Sequence, residues 1–276
     1  MDSIKRNIIA FNARFLISMK IYFRYPINFI MTLFDPIMWL TPFYFMAKAF
    51  SSNGQLSGFS KYTGNSDYIG FLVIGYMISC YVSTIFWSMG FSLKDEMREG
   101  VLESNWSTPV SRITLMISKS SFQMTAATFE IILTGIVCHY IFGFNINNNV
   151  LTAILFLIPG LIGMLGFGLA IGAVVLLIKE ANGIIDVTNS LVSGLAGGYF
   201  PVKVLPFGFL IISLILPLTY IYDSSRALLI NQIPIFSLRK EFVIVLITMV
   251  AFSFLGSFIF MKVEKHCRML GVLGTH

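Results

Sequence analysis

The chain has 276 residues, 56% of them hydrophobic and only 12% charged, with a mean hydropathy of +0.81. A soluble domain carries about a quarter charged residues, so this composition excludes a soluble globular protein and describes an integral membrane chain, its charges gathered between apolar runs of about 20 residues. The formal net charge of +6 would raise nucleic acid as a partner for a soluble protein, but here Lys and Arg flank apolar segments, where they act as topology signals and lipid-headgroup contacts.

In the first 25 residues, Ile4, Ile8, Phe11, Phe15, Met19 and Tyr22 recur at helical spacing, while Lys5, Arg6, Arg14, Lys20 and Arg24 fall on the other side. Two cleanly separated faces predict a helix lying in the membrane interface rather than a simple charged lead-in to the first span. The first span is expected over 27–47, with Pro36 and Pro42 as kink points. A Gly-, Ser- and Asn-rich loop follows over 48–67, then a second span over 68–92. The polar stretch 94–112 reads KDEMREGVLESNWSTPVSR and is expected to form a short helix between spans two and three. A third span is predicted over 113–142, an Asn-rich turn over 145–149, and a fourth span over 150–178. Gly160, Gly163, Gly166, Gly168 and Gly172 sit in that fourth span; small residues at this density let helices approach closely.

A brief polar connection, 179–182, leads to a fifth span over 183–198, and the sixth is expected over 242–261. The region 199–240 between them is more than a loop. Residues 205–218 are apolar but too short to cross, which fits a re-entrant segment bounded by Pro206 and Pro217. Thirteen of the 19 Lys and Arg fall in 1–26, 93–119, 179–182 and 262–276, which places both termini in the cytoplasm. The expected fold class is therefore an all-α integral membrane protein, one domain over 1–276. It has six transmembrane helices, an N-terminal interfacial amphipathic helix over 1–25 and a re-entrant segment between the fifth and sixth helices.

Little chemistry is written into the sequence. No lysine follows a glycine anywhere, so there is no phosphate-cradling loop for ATP. The three histidines, His139, His266 and His276, and three cysteines, Cys80, Cys138 and Cys267, have no metal-ligand or disulfide spacing. No catalytic, cofactor or metal residues are expected. The ionisable residues inside spans are Asp35 and Glu130. They are either part of a translocation path or proton relay, or hydrogen-bond partners between helices.

Two motifs carry a resemblance to a known family. EMREGVLESNWSTPVSR, with Glu96, Gly100, Leu102, Glu103, Thr108 and Pro109 in matching positions, resembles the cytoplasmic coupling segment of ABC-2 type permeases, the membrane subunits of ATP-binding-cassette exporters. GGYFPVKVLP (197–206) and LPLTYIYDSSRALL (216–229) are similar to the stretch between that family's fifth and sixth spans. The whole plan of helices agrees. Val101, Asn105 and Trp106 depart from the family's usual residues.

The resemblance implies a dimer, most simply a homodimer, in the cell membrane, with two separate ATPase subunits that bind the ATP. It implies that 94–112 is where ATPase motion enters, through Glu96, Glu99, Gly100, Leu102, Glu103, Trp106, Thr108 and Pro109. Lys179 and Glu180 form a second candidate contact. Tyr199, Phe200 and Pro201 would shape the outer hairpin. Asp223 and Arg226, three residues apart, are expected to pair at the outer face, as a gate or as an ordinary surface ion pair. The competing readings are a proton-coupled secondary transporter using Asp35 and Glu130, or a membrane scaffold that moves nothing. The aromatic content (27 Phe, 11 Tyr, 3 Trp) fits an amphipathic cargo and fits lipid contact equally well.

Overall fold

The computed structural model describes residues 3–24, 26–50, 57–98, 100, 102–146, 149–178 and 180–269, with the side chains of 3, 26–30, 32, 33, 57, 102, 103 and 106 outside that description. It is all helical, with no strand among the described residues. The elements are α1 (Ser3–Arg24), α2 (Pro26–Phe50), α3 (Ser57–Thr63), α4 (Tyr68–Arg98), α5 (Leu102–Ser107), α6 (Arg112–Phe142), α7 (Val150–Ile178), α8 (Asn182–Leu195), α9 (Phe207–Ile215), α10 (Pro217–Ile230) and α11 (Leu238–Met269). A single 3-10 turn, Val202–Val204, precedes α9.

Four described helices, α4, α6, α7 and α11, are long and apolar enough to cross a membrane, and the pair α9–α10, bent by 88° at Leu216, is a fifth candidate. Large apolar side chains face outward along them: Leu151 on α7, Phe129 on α6 and Phe254 on α11 are 80%, 63% and 70% exposed. On a protein in water such surfaces would drive association; in lipid they are the solvated face. The chain is a multi-pass membrane protein.

Helix boundaries follow local chemistry. Asp67 Oδ1 accepts the Gly70 N–H at 2.8 Å and so caps the start of α4. Gly143 ends α6 in the left-handed region (φ 71°), where glycine carries no Cβ penalty. Within the expected 48–67 loop, α2 runs on to Phe50, α3 forms over Ser57–Thr63, and the Thr63 carbonyl accepts the Ile233 N–H at 3.0 Å. α2 continues as one helix through Pro36 and Pro42. The expected fifth span, 183–198, is instead the 14-residue helix α8, which covers about 21 Å and falls short of the roughly 30 Å hydrocarbon core.

The core is organised around α7 and α4. α7 and α11 make the most extensive helix pair, because glycines let their backbones touch. A Cβ on Gly256 would run into the Gly166 carbonyl oxygen, and one on Gly166 into the Phe252 carbonyl. Gly168 and Gly172, on another face of α7, meet Ile85, Met89 and Met116 of α4 and α6. Gly256→Val should therefore force α7 and α11 apart and cost about 1–3 kcal/mol, the usual penalty of overpacking. Gly183→Ala, whose Cβ would meet open space on helix α8, should not lower the melting temperature in detergent.

Candidate functional site

At one end of the bundle a set of ion pairs surrounds the polar stretch. Lys94 to Arg98 form the last turns of α4, Gly100 turns the chain in the left-handed region (φ 67°), and α5 follows. Glu96 is buried and ion-paired to Arg14 of α1. Asp95 pairs with Lys119 of α6 at 3.2 Å, Lys94 with Glu180 at 3.8 Å, and Arg112 with Glu264 of α11 at 3.7 Å. α1 is tied to α6 as well: Ser118 Oγ donates to the Phe11 carbonyl at 2.6 Å, and Asn7 Oδ1 accepts the Ser111 N–H at 3.2 Å. Thr108 Oγ1 donates to the Asn105 carbonyl at 2.6 Å and closes α5, with Pro109 exposed beyond it.

From the Asp95–Lys119 pair a cavity of about 720 Å³ runs along the bundle between α2, α4, α6 and α8. One face of α4 supplies half of the described lining residues: Tyr76, Ser79, Cys80, Ser83, Thr84, Trp87, Ser88, Phe91 and Asp95. These recur every three or four residues, so they form one stripe, and from Tyr76 to Asp95 that stripe is roughly 28 Å long at 1.5 Å per residue. The antiparallel face of α6 adds Lys119, Gln123, Glu130, Ile131 and Thr134. The two helices are held together by hydrogen bonds: Ser88 to Ser120, and Tyr81 Oη to Thr128 Oγ1 at 2.9 Å. α2 contributes Asp35 and Trp39, and α8 with its following turn contributes Asn189 and Tyr199. The end away from Asp95 is aromatic, with Trp39 against Tyr76 and Tyr199 at centroid distances of 5.2 and 5.4 Å.

Glu130 accepts a hydrogen bond from Tyr22 Oη at 3.1 Å. Burial first, then the Glu130 charge, pushes the Tyr22 hydroxyl up to about 12, so it stays protonated and is the donor. Asp35 lines the same cavity.

Arg226 is not where the sequence suggested. It and Asp223 are both buried, 2% and 6% exposed, and neither pairs with the other among the described ion pairs. The Arg226 guanidinium donates from Nη1 to the Gly197 carbonyl at 2.6 Å, from Nη2 to Gly198 at 2.8 Å and from Nε to Phe71 at 3.1 Å. It also stacks on the Phe71 ring at 3.4 Å. Asp223 accepts instead from Gln232 Nε2 at 3.0 Å and from the Ile235 N–H at 2.5 Å. The chain leaves helix after Leu195, so the carbonyls of Gly197 and Gly198 have no helical partner, and a buried guanidinium with five donors supplies them.

The expected site residues divide accordingly. Asp35, Glu130 and Tyr199 are brought together on one cavity. Phe200 is 37% exposed and Pro201 half-buried, outside that cavity. Gly100, Thr108, Pro109 and Glu180 are exposed, whereas Glu96 faces α1 instead of an outer surface. Glu99 and Lys179, and the side chains of Leu102, Glu103 and Trp106, lie outside the described residues. The sequence reading missed Ser79, Ser83, Thr84, Ser88, Gln123 and Asn189; the signal was present, as hydroxyls at helical spacing within an apolar span.

Residues 11–230 match the family model of the ABC-2 type transporter, and no curated protein matches the chain. The matched stretch takes in the whole cavity and the Arg226 clamp. Arg226→Lys keeps the charge but cannot reach three carbonyls with one ammonium. With hydrogen bonds to charged groups worth about 1.5–3 kcal/mol each, the variant should lose about 3 kcal/mol of stability or more, read as a lowered melting temperature in detergent, while Arg239→Lys on the exposed start of α11 should melt as the parent does.

Proposed function

Because the chain belongs to the ABC-2 type transporter family and is a permease of an ABC transporter, we propose that it works as an exporter subunit, a homodimer in the cell membrane driven by two separate ATPase subunits. Permeases of this family generally work with an ATP-binding subunit, and this chain carries no phosphate-cradling loop of its own. The ATP would be bound entirely by the partner.

The observation that carries the coupling role is the arrangement around α5. A short helix, exposed at Ser104 and Ser107, hangs between the ends of α4 and α6, and the last turns of α4 are ion-paired to α1, to α6 and to Glu180. A push on α5 would therefore be felt at once by several elements of the bundle. An isolated surface ion pair is worth little; the Arg14–Glu96 pair is different, because Glu96 is buried and losing Arg14 would leave its charge without a partner. Glu99, Gly100, Leu102, Glu103, Trp106, Thr108 and Pro109 would meet the ATPase, with Lys179 and Glu180 as a second contact, while Glu96 transmits from within.

The cavity would be the cargo path, its stripe on α4 being about as long as the hydrocarbon core is thick. Six crossings are reached if α2 crosses and α8 is completed by the turn and segment after it, leaving the bent α9–α10 pair to dip in from the outer face. That arrangement puts both termini in the cytoplasm, in keeping with the Lys and Arg distribution, and leaves α1 in the inner interface.

Two measurements test this. Deleting 99–103 should abolish co-purification with the ATPase; unchanged association and transport would sink the coupling role. Glu96→Arg should lower ATP-dependent transport in proteoliposomes by about tenfold or more, and adding Arg14→Glu should restore most of it, as expected for residues that couple directly.

A further inference from the structure

The charge and shape of the long cavity carry an inference about what it holds, and this inference rests on the reading of that cavity as the cargo path. Three carboxylates line it, Asp35, Asp95 and Glu130, against one cation, Lys119. Lys119 is already taken by Asp95 at 3.2 Å. Glu130 receives only the neutral Tyr22 hydroxyl, and Asp35 has no ion pair or hydrogen bond among the described residues. Asn189 adds an amide oxygen, Oδ1, that is buried and without a hydrogen-bond partner. What the cavity leaves unpaired is therefore acceptor and negative.

The apolar part of the wall is aromatic. Trp39 lies one helical turn beyond Asp35 on α2 and packs against Tyr76 and Tyr199, while Trp87 and Phe91 stack at 4.9 Å nearer the Asp95 end. Aromatic faces attract cations through their quadrupoles. The volume of about 720 Å³ is that of a pocket for a drug-sized molecule, roughly 300–1,000 Å³.

We infer that this cavity binds a lipophilic organic cation, with its positive centre held between Asp35 and Glu130 and its apolar groups against Trp39, Tyr76 and Tyr199. An anionic cargo would face two carboxylates with no free cation among the described lining residues to receive it. An uncharged one would cover the Asp35 carboxylate without giving it a partner.

The test uses the full chain in nanodiscs and a pair of probes of the same shape and opposite charge, tetraphenylphosphonium and tetraphenylborate. Binding is read by quenching of tryptophan fluorescence, Trp39 and Trp87 both lining the cavity, with empty nanodiscs as the background. Phosphonium should bind at least about tenfold more tightly than borate, and Asp35→Asn with Glu130→Gln should weaken phosphonium by about tenfold, the loss expected for a close charge contact. Asp35→Asn alone should weaken it in the same direction; Asp35 is an exposed position, so that variant disturbs no packed contact. Trp39→Leu should weaken phosphonium several-fold and borate little. Equal binding of the two ions, or phosphonium binding indifferent to the two carboxamide changes, overturns the inference. The probes need no ATPase, so the two readings fail separately. ATPase association without a preference for the cation removes the binding site alone, and a preference for the cation without ATPase association removes the coupling role alone.

Discussion

A single buried guanidinium makes the non-helical part of this membrane protein affordable. In lipid there is no water to receive a stray carbonyl, so a chain that leaves helical structure inside the bundle must find donors there. After Leu195 the chain does so, and Arg226 answers with donors to Gly197, Gly198 and Phe71. Gly75 is the matching concession on α4, since a Cβ there would run into the Gly198 carbonyl and Arg226 Nη2. The clamp thus joins α10, the turn after α8 and the first turns of α4. Tyr199 is the next residue along that turn, and its place on the cavity wall depends on the clamp.

The rest of the bundle divides between close packing and polar lining. On α7, glycines on separate faces receive α11, α10 and α4, and the backbones close up at those contacts. On α4 the face turned toward α2 and α6 carries hydroxyls and aromatic rings instead, too few and too small to fill the gap, and the gap is the cavity. Ion pairs close one end of it and aromatic rings the other. The end with the ion pairs is also the end that carries α5. A load applied at that helix would therefore reach the charged mouth of the cavity through Asp95 and Lys119 without passing through the glycine-packed core.

Much of this was legible in the sequence. The start of α4 at Tyr68 and the bounds of α7 at Val150 and Ile178 can be read directly, because turns rich in Asn and Gly stop apolar runs abruptly. The close packing of α7 follows from its glycines. The site was legible only in part: Asp35 and Glu130 stood out as charges in apolar segments, but their sharing of one cavity did not. Ser79, Ser83 and Ser88 were hidden by the apolar residues between them. That the helix in 183–198 ends at Leu195 was not legible, because 14 helical residues and an apolar turn have the same local composition. Asp223 and Arg226 read as a surface pair because their spacing on a helix permits one; nothing local says that both are buried.

By itself the sequence determined the class of the protein, the long apolar helices and the absence of its own phosphate-cradling loop. The first two follow from composition over windows of about 20 residues, the scale on which a segment partitions into lipid, and the third from a short motif that needs a lysine after a glycine. The tertiary structure alone decided where each buried charge goes. Arg226 finds a carbonyl 155 positions away at Phe71, and Arg14 finds Glu96 across 82 positions. A charge in a medium without water must be satisfied by whatever lies beside it in space, and sequence distance does not enter that requirement.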